Sequence, residues 1–373
     1  VRRNQLTLKF DYDLPGDWKV AESLRYDDTH TTRNGVYPNS VQSAGTLYSS
    51  VQDANKNPAY QDFAGAVGYQ LRYHDNGQVY DNGSGKPLTI VEGLRGVTMP
   101  VKEVINDTRF LRKFEFGDQT HDVTLGYYYA RFSQGFNRYS STMITDATDN
   151  ARVLDLVPVN AAGQPVGSVT DANGIYRYGY EWANARGQSV TNAFYASDEW
   201  QVTEQLRIDA GARWEKVRVS GSTELPTTVN LGTLPTSAIL TGSGHYADYN
   251  NTFSRFGWTV GANYQFSPHQ GVFARWTPTF RLPNLSTYIT ATTAPIQKPV
   301  IQTMKLGEIG YKFSNRWLDL YLTGFYTTYD NVSFSNYVFD LNSGASTNQQ
   351  GYASTKTRGL ELEGTWYPSE YFD

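Results

Sequence analysis

The chain contains no cysteine, which excludes structural disulfides and thiolate metal centres and leaves no thiol redox chemistry. It also lacks any run of about 18 apolar residues, so it offers no transmembrane helix. Mean hydropathy is −0.52. Neither value excludes a membrane β-barrel, in which only alternate residues face lipid. Charge of one sign is not in excess: 32 Lys and Arg stand against 36 Asp and Glu, so there is no electrostatic footprint for nucleic acid. The five histidines, His30, His74, His121, His245 and His269, show no metal-ligand spacing and read as solvated surface residues. No metal and no cofactor is expected.

Aromatic residues are abundant instead, 14% of 373 residues, with 28 Tyr and 8 Trp. The clearest pattern lies between Ser254 and Arg281. Phe256, Trp258, Val260, Ala262, Tyr264 and Phe266 alternate with Arg255, Gly257, Thr259, Gly261, Asn263 and Gln265. Ser267-Pro268-His269 makes a minimal turn, and the chain returns from Gln270 to Arg281. Strict alternation over a dozen residues is about twice the usual length of a soluble strand. It matches a tilted strand of roughly 9–11 residues crossing a bilayer.

The hairpin recurs. Leu6, Leu8, Phe10, Tyr12 and Leu14 alternate with polar residues, Pro15-Gly16-Asp17 turns the chain, and Trp18, Val20, Leu24 and Tyr26 line the return, with Glu22 an exception on the apolar face that leaves the local register open. Further short turns fall at Gly117-Asp118-Gln119, Thr203-Glu204-Gln205 and Ser314-Asn315-Arg316. Between them run long polar stretches at about 28–102, 133–188, 220–251, 285–301 and 331–351, read as loops, with Ile175 to Trp182 a possible hairpin arm. About eleven strands follow, with tight turns and long loops in alternation. The expected fold is all-β: an antiparallel transmembrane up-and-down β-barrel. A large soluble β protein such as a propeller is the competing architecture.

Trp18, Phe116, Trp200, Phe266, Trp317 and Trp366 all fall at the short-turn end, where a membrane-interface aromatic girdle would sit. The face opposite the apolar residues carries Lys9, Asp11, Arg207, Asp209, Arg213, Arg255, Glu361 and Glu363. A soluble core could not hold so many charges; a wet or plugged lumen could. Glu361 and Glu363 share a face and imitate a catalytic carboxylate pair, yet they read as lumen charges, and no catalytic residue is assigned. Gly242-Ser243-Gly244 lacks the strand–helix context of a phosphate cradle. Candidate ligand contacts are the loop aromatics Tyr176, Tyr178, Tyr180, Trp182, Tyr246 and Tyr249, with loop packing the equal alternative. Arg281 could meet an anionic ligand, although a lumen salt bridge is the preferred reading.

Several motifs resemble those of TonB-dependent outer-membrane receptors. Phe280-Arg281-Leu282-Pro283-Asn284 is similar to the family's Phe-Arg-Ala-Pro-Asn segment, and Glu308-Ile309-Gly310-Tyr311-Lys312 to its Glu-x-Gly-x-Lys strand. Phe325 to Asn331, Arg358-Gly359-Leu360-Glu361-Leu362-Glu363, and Ser197 to Thr203 followed by Leu206 also fit, in the family's order. Leu282 departs from the usual small residue, and no Asn-x-Gly precedes Arg358; both concern strand detail. The resemblance implies that residues 1–373 are the middle of a larger, 22-stranded barrel, with an N-terminal plug and the last strands outside this chain. Val1 to Gln5 already reads as strand and Tyr367 to Tyr371 as a turn feeding another, so both ends look cut. It further implies a bacterial outer-membrane location and a TonB box on the plug that recruits TonB and its inner-membrane energising complex. Contact with outer-membrane lipid or lipopolysaccharide follows, with active import of an extracellular nutrient. A ferric siderophore leads as substrate. An oligosaccharide importer, a passive porin or adhesin barrel, and a soluble carbohydrate-active β protein are the alternatives.

Overall fold

The structure is a computed structural model that describes residues 1–51, 63–81, 87–232, 237–289, 298–340 and 345–368. Its strands are β1 (Arg2–Leu14), β2 (Trp18–Ser43), β3 (Gly68–Tyr73), β4 (Leu88–Phe116), β5 (Gln119–Asp146), β6 (Val153–Val159), β7 (Ile175–Gln201), β8 (Leu206–Asn230), β9 (Ala238–Ser267), β10 (Gln270–Arg281), β11 (Gln302–Ser314), β12 (Leu318–Asp340) and β13 (Ala345–Trp366). Two short helices, α1 (Ala44–Val51) and α2 (Ser286–Ile289), interrupt them. One antiparallel sheet runs β1-β2-β4-β5-β7-β8-β9-β10-β11-β12-β13, with β3 and β6 off this path. The eleven strands anticipated from alternation are those of the path. Strands β1 and β13 are its edges.

Short turns close the lower end. At the first, Gly16 and Asp17 hold φ of 76° and 60°, the left-handed region that glycine enters freely and Asp tolerates. At the upper end the expectation of long loops needs correction. Strand β4 has 29 residues and β9 has 30, so much of each polar stretch continues its strand. The Ile175–Trp182 segment is likewise the upper part of β7, paired with β5. Where both faces of a strand meet water, backbone pairing persists after apolar alternation stops. On one wall β3 and β6 pair with each other and β6 joins the top of β5. Together with α1 they bury Leu47, Leu71, Ile144, Leu154 and Leu156 in a small core of their own.

Register fixes the faces. Leu6, Leu8, Phe10, Leu24, Phe110, Leu125, Phe194, Trp214, Phe256, Trp258, Ile309, Leu360 and Leu362 are exposed on one side. Glu22 lies there too: β1 and β2 pair without a shift from Arg2↔His30 to Leu14↔Trp18, so its placement is no register slip. Asn106 Nδ2 and Thr108 Oγ1 both donate to its carboxylate. Sheet glycines recur directly opposite aromatic residues, as in Gly126↔Tyr195, Gly310↔Phe273 and Gly359↔Phe325. A Cβ at any of these would collide with the facing ring; the ring covers the backbone that glycine leaves bare.

Candidate functional site: the inner wall and its rim

The side opposite the apolar face carries the charges picked out from the sequence, and half of the eight, Asp11, Arg207, Asp209 and Arg213, are in ion pairs. Arg207 Nε lies 3.0 Å from Asp209, and Arg213 Nη2 lies 2.8 Å from Glu215. Lys19 approaches Asp11 at 3.8 Å, and Arg3 and Arg25 both reach Asp27, at 2.5 and 3.4 Å. Arg255 stands directly across from Glu215. The basic partners remain a third to a half exposed, as befits a wet surface on which ion pairs orient side chains more than they stabilise them.

Higher on the inner wall, four strands converge on Glu181. Arg95 donates to it through Nε at 2.7 Å and through Nη2 at 2.8 Å, Tyr37 donates at 3.3 Å, and Arg138 lies 4.0 Å away. The Arg95 guanidinium also sits 4.0 Å above the Tyr37 ring. Sequence reasoning missed this cluster because its members lie on β2, β4, β5 and β7, with Tyr37 and Glu181 144 residues apart. No local spacing could announce it.

Beyond Trp276 strand β10 leaves β9, and the segment from Leu282 through α2 folds against the inner wall. Leu285, Tyr288 and Ile289 are buried with Val217, Val219, Tyr249 and Phe253. The Tyr249 and Tyr288 rings stack at 4.6 Å and 18°. Burial pushes the Tyr288 phenol up to about 12. The seat is cut by glycine: Gly187 and Gly221 face each other across β7 and β8, and Gly221 faces Tyr249. A Cβ on either would strike the Tyr249 hydroxyl. Arg281, just before this segment, lines a hollow of about 620 Å³ with Tyr195, Arg213, Glu215, Thr259 and Phe280. The lumen salt bridge preferred for it is not formed: among the described residues no carboxylate lies within ion-pair distance of Arg281.

The aromatic residues proposed as ligand contacts do not converge. Tyr176 packs on the small upper core. Tyr178 is 48% exposed and donates to Asp171 at 2.5 Å. Arg177 sits over the Tyr180 ring at 5.7 Å. Trp182 pairs across from Tyr139 on the outward side. Tyr246 is 52% exposed, whereas Tyr249 is 5% exposed beneath Tyr288. Trp18, Phe116, Trp200, Phe266 and Trp366 stand at the short-turn ends of their strands, and Trp317 lies in the short turn between β11 and β12. Three histidines are not simply solvated: His74 meets Asp155 at 3.0 Å, His121 meets Asp198 at 2.7 Å while stacking on Trp200 at 5.2 Å, and His269 Nδ1 lies 2.8 Å from the Ser314 carbonyl. Among the described residues no group of acidic and imidazole side chains could hold a metal ion.

Comparison with known proteins now adds to this geometry. A family model described as "TonB dependent receptor-like, beta-barrel" matches residues 1–373. A comparison with curated proteins finds no match. Among solved structures, the chain is similar to the copper transporter OprC, with 11% identity and a TM-score of 0.55 over 99% of this chain and 44% of that one. It is similar to BauA, the ferric preacinetobactin receptor from Acinetobacter baumannii, with 14% identity and a TM-score of 0.55 over 99% and 43%. It also resembles FpvAI in complex with pyocin S2, with 14% identity and a TM-score of 0.52 over 98% and 39%. At these identities the likeness concerns the fold, and the chain spans less than half the length of each of these structures.

Proposed function

The chain belongs to the TonB-dependent receptor-like β-barrel family, and on that footing we propose that it forms the middle of a 22-stranded barrel in the bacterial outer membrane. A plug with a TonB box, outside this chain, closes the barrel. The whole protein actively imports a scarce nutrient, with ferric siderophores as the leading class. The observation that carries this reading is the division of one continuous sheet into an apolar outer face and an inner face of paired, half-exposed charges. Strands β1 and β13 each pair with a single neighbour. An open edge in hydrocarbon leaves backbone groups unsatisfied at several kcal/mol each, which favours further strands beside both.

In this reading the aromatic residues at the short turns, Trp18, Phe116, Trp200, Phe266, Trp317 and Trp366, form the periplasmic girdle. TonB acts through the plug. The arriving ligand meets the exposed residues Tyr178, Tyr246 and Arg281, while Tyr176 and Tyr249 buttress the wall behind them. The chain performs no covalent chemistry on its cargo.

The test is uptake by cells carrying the full-length protein in place of their own receptors, with and without TonB. Radiolabelled ferric siderophores and labelled oligosaccharides are supplied under iron or carbon limitation. TonB-dependent iron uptake supports the proposal. TonB-dependent sugar uptake transfers it to the oligosaccharide alternative, and uptake without TonB replaces it with a passive porin.

A further inference from the structure

The wall carries a seam between β9 and β10. From the turn upward the two strands pair as far as Val260↔Trp276, and among the described residues no backbone pair joins them above that row. Strand β9 nevertheless stays paired with β8 through Phe256 and beyond, and β10 with β11 up to Arg281. Pro278 accounts for the break. Its carbonyl points at β9, 3.4 Å from where a Cβ on Gly257 would stand, and in an extended strand the N–H and C=O of one residue point the same way. The donor that proline lacks is therefore one that β9 would need. A tilted strand crosses a bilayer in roughly 9–11 residues. Counting up from Ser267, the ladder stops at the eighth residue, Val260, so the seam opens within the hydrocarbon of the outer leaflet, where unpaired backbone is costly.

Side chains close the seam instead. The hydroxyls of Thr259 and Thr277 hydrogen-bond at 2.7 Å, and Arg275 Nε donates to Thr259 Oγ1 at 3.4 Å. Phe280 has the parity of Val272 and Trp276, which face outward. Its ring nevertheless lies against Gly257, which faces the lumen: a Cβ there would stand 3.1 Å from it. Strand β10 has passed behind β9, and Phe280 wedges the overlap. A hollow lies on each side of β10 at this height. The inner one, about 620 Å³, is lined by Arg213, Thr259, Thr277 and Arg281 and also by Trp258 of the outward face, so it reaches into the seam. The outer one, about 590 Å³, is lined by Trp276, Gly307, Ile309, Tyr326 and Leu360. The inner hollow offers hydroxyls and a guanidinium that holds no carboxylate among the described residues. The outer hollow presents rings and aliphatic side chains.

We propose that this seam is a lateral portal in the barrel wall, and that the cargo it serves is an amphiphile with an anionic head and an apolar tail. The head sits in the inner hollow on Arg281, Thr259 and Thr277, since a guanidinium and hydroxyls are donors to an oxyanion. The tail passes Phe280 and lies in the outer hollow beside Trp276. Turning one ring away from a glycine opens the route, because the seam has no backbone ladder to break. A continuous ladder would have to give up a hydrogen bond at each rung, leaving its partners unsatisfied. Hollows of this size hold a small organic molecule. The inference rests on the import reading above and names the chemistry of its cargo, whether or not the head also carries iron.

The test uses the full-length protein in lipid nanodiscs and three photoactivatable probes. Palmitate has head and tail, butyrate has the head and almost no tail, and hexadecanol has the tail without the charge. Labelled peptides are read by mass spectrometry. Palmitate should label residues 256–260 and 276–282, and the other two probes should label them at least tenfold less. Pro278→Val, which returns the missing donor, should lower palmitate labelling at least tenfold, and Arg281→Gln should do the same. Thr259→Cys/Thr277→Cys gives a control within one folded protein, because this chain has no cysteine to compete. Its labelling should fall under an oxidant and return under a reductant, with heat-modified electrophoretic mobility unchanged. Labelling unaffected by Pro278→Val and by the disulfide, or equal labelling by butyrate or by hexadecanol, would overturn the portal. Nutrient uptake that proceeds without TonB would instead overturn the import reading, and the labelling pattern would still decide the portal.

Discussion

Replacing Tyr288 by Ala should release the inner segment without unfolding the wall. Tyr288 is fully buried, Leu285 and Ile289 nearly so, and the contact that fixes them is the stack on Tyr249 at 4.6 Å. Truncating a buried aromatic residue costs about 3–5 kcal/mol. The segment is held otherwise by Leu285, Ile289 and a weak hydrogen bond from Thr223 Oγ1 to the Tyr288 carbonyl at 3.4 Å. A loss of about 3 kcal/mol raises the open population by roughly two decades, at 1.4 kcal/mol per tenfold. The reporters are built in, because the amides of residues 288 and 289 both donate to the Leu285 carbonyl, at 3.0 and 3.3 Å. Hydrogen exchange of the full-length protein, read on peptides covering 282–289, should quicken about 100-fold in Tyr288→Ala and similarly in Tyr249→Ala. Tyr246→Ala, three positions from Tyr249 but 52% exposed, should leave it unchanged. Unaltered exchange in both buried-ring variants, or an equal rise in Tyr246→Ala, would refute the view that this ring stack is the latch.

Gly126→Val should place its branched side chain in the Tyr195 ring and dislodge the Tyr195 hydroxyl from Asp107, now 2.6 Å away; the expected loss is a few kcal/mol, read as a lowered heat-modification temperature, while Gly16→Asn in the first turn should show little change. The Asp171 carboxyl is raised by burial but lowered more by hydrogen bonds from Tyr178 and the backbone of Ile175 and Asn173, so its net shift is downward. A carboxylate with a depressed folded pKa adds stability above its unfolded pKa and loses it as pH falls through the folded value. Hydrogen exchange around 171–178 should therefore quicken as pH drops below the ordinary carboxylate range, after correction for the intrinsic rate, and Asp171→Asn should abolish that dependence. Glu22→Gln should stabilise the barrel in lipid by about 1 kcal/mol, because it removes a charge from the lipid face and keeps an acceptor for Asn106 and Thr108; denaturant titration in lipid should show the gain, and Glu22→Ala, which removes the acceptor as well, should not.

The legible part of this molecule is the lower part of the sheet. There the two faces differ in composition, and Phe256 to Phe266 declare their strand and its apolar face without help. Higher on the strands the alternation stops. Residues 220–230 and 238–251 read as a loop because nothing forces alternation on them, although β8 and β9 continue through most of that range. The upper core of Leu71, Ile144 and Leu156 was hidden for a related reason: its residues come from separate short segments of the chain, and only the pairing of β6 with β3 and β5 gathers them.

Side-chain partnership is harder still to read, because it is a property of rows and not of segments. Arg213 and Arg218 lie on one strand five residues apart and look alike in sequence. Arg213 points inward to Glu215 at 2.8 Å, while Arg218 points outward to Asn250 at 3.0 Å. Parity decides the face, and the neighbouring strand decides whether the charge is neutralised. The same logic separates Tyr246 from Tyr249, one left exposed and the other spent on holding α2. A list of aromatic and basic loop residues therefore overstates any ligand site in a barrel of this kind. About half of them face the wrong way, and some of the remainder, like Tyr249, are already occupied by the wall they belong to.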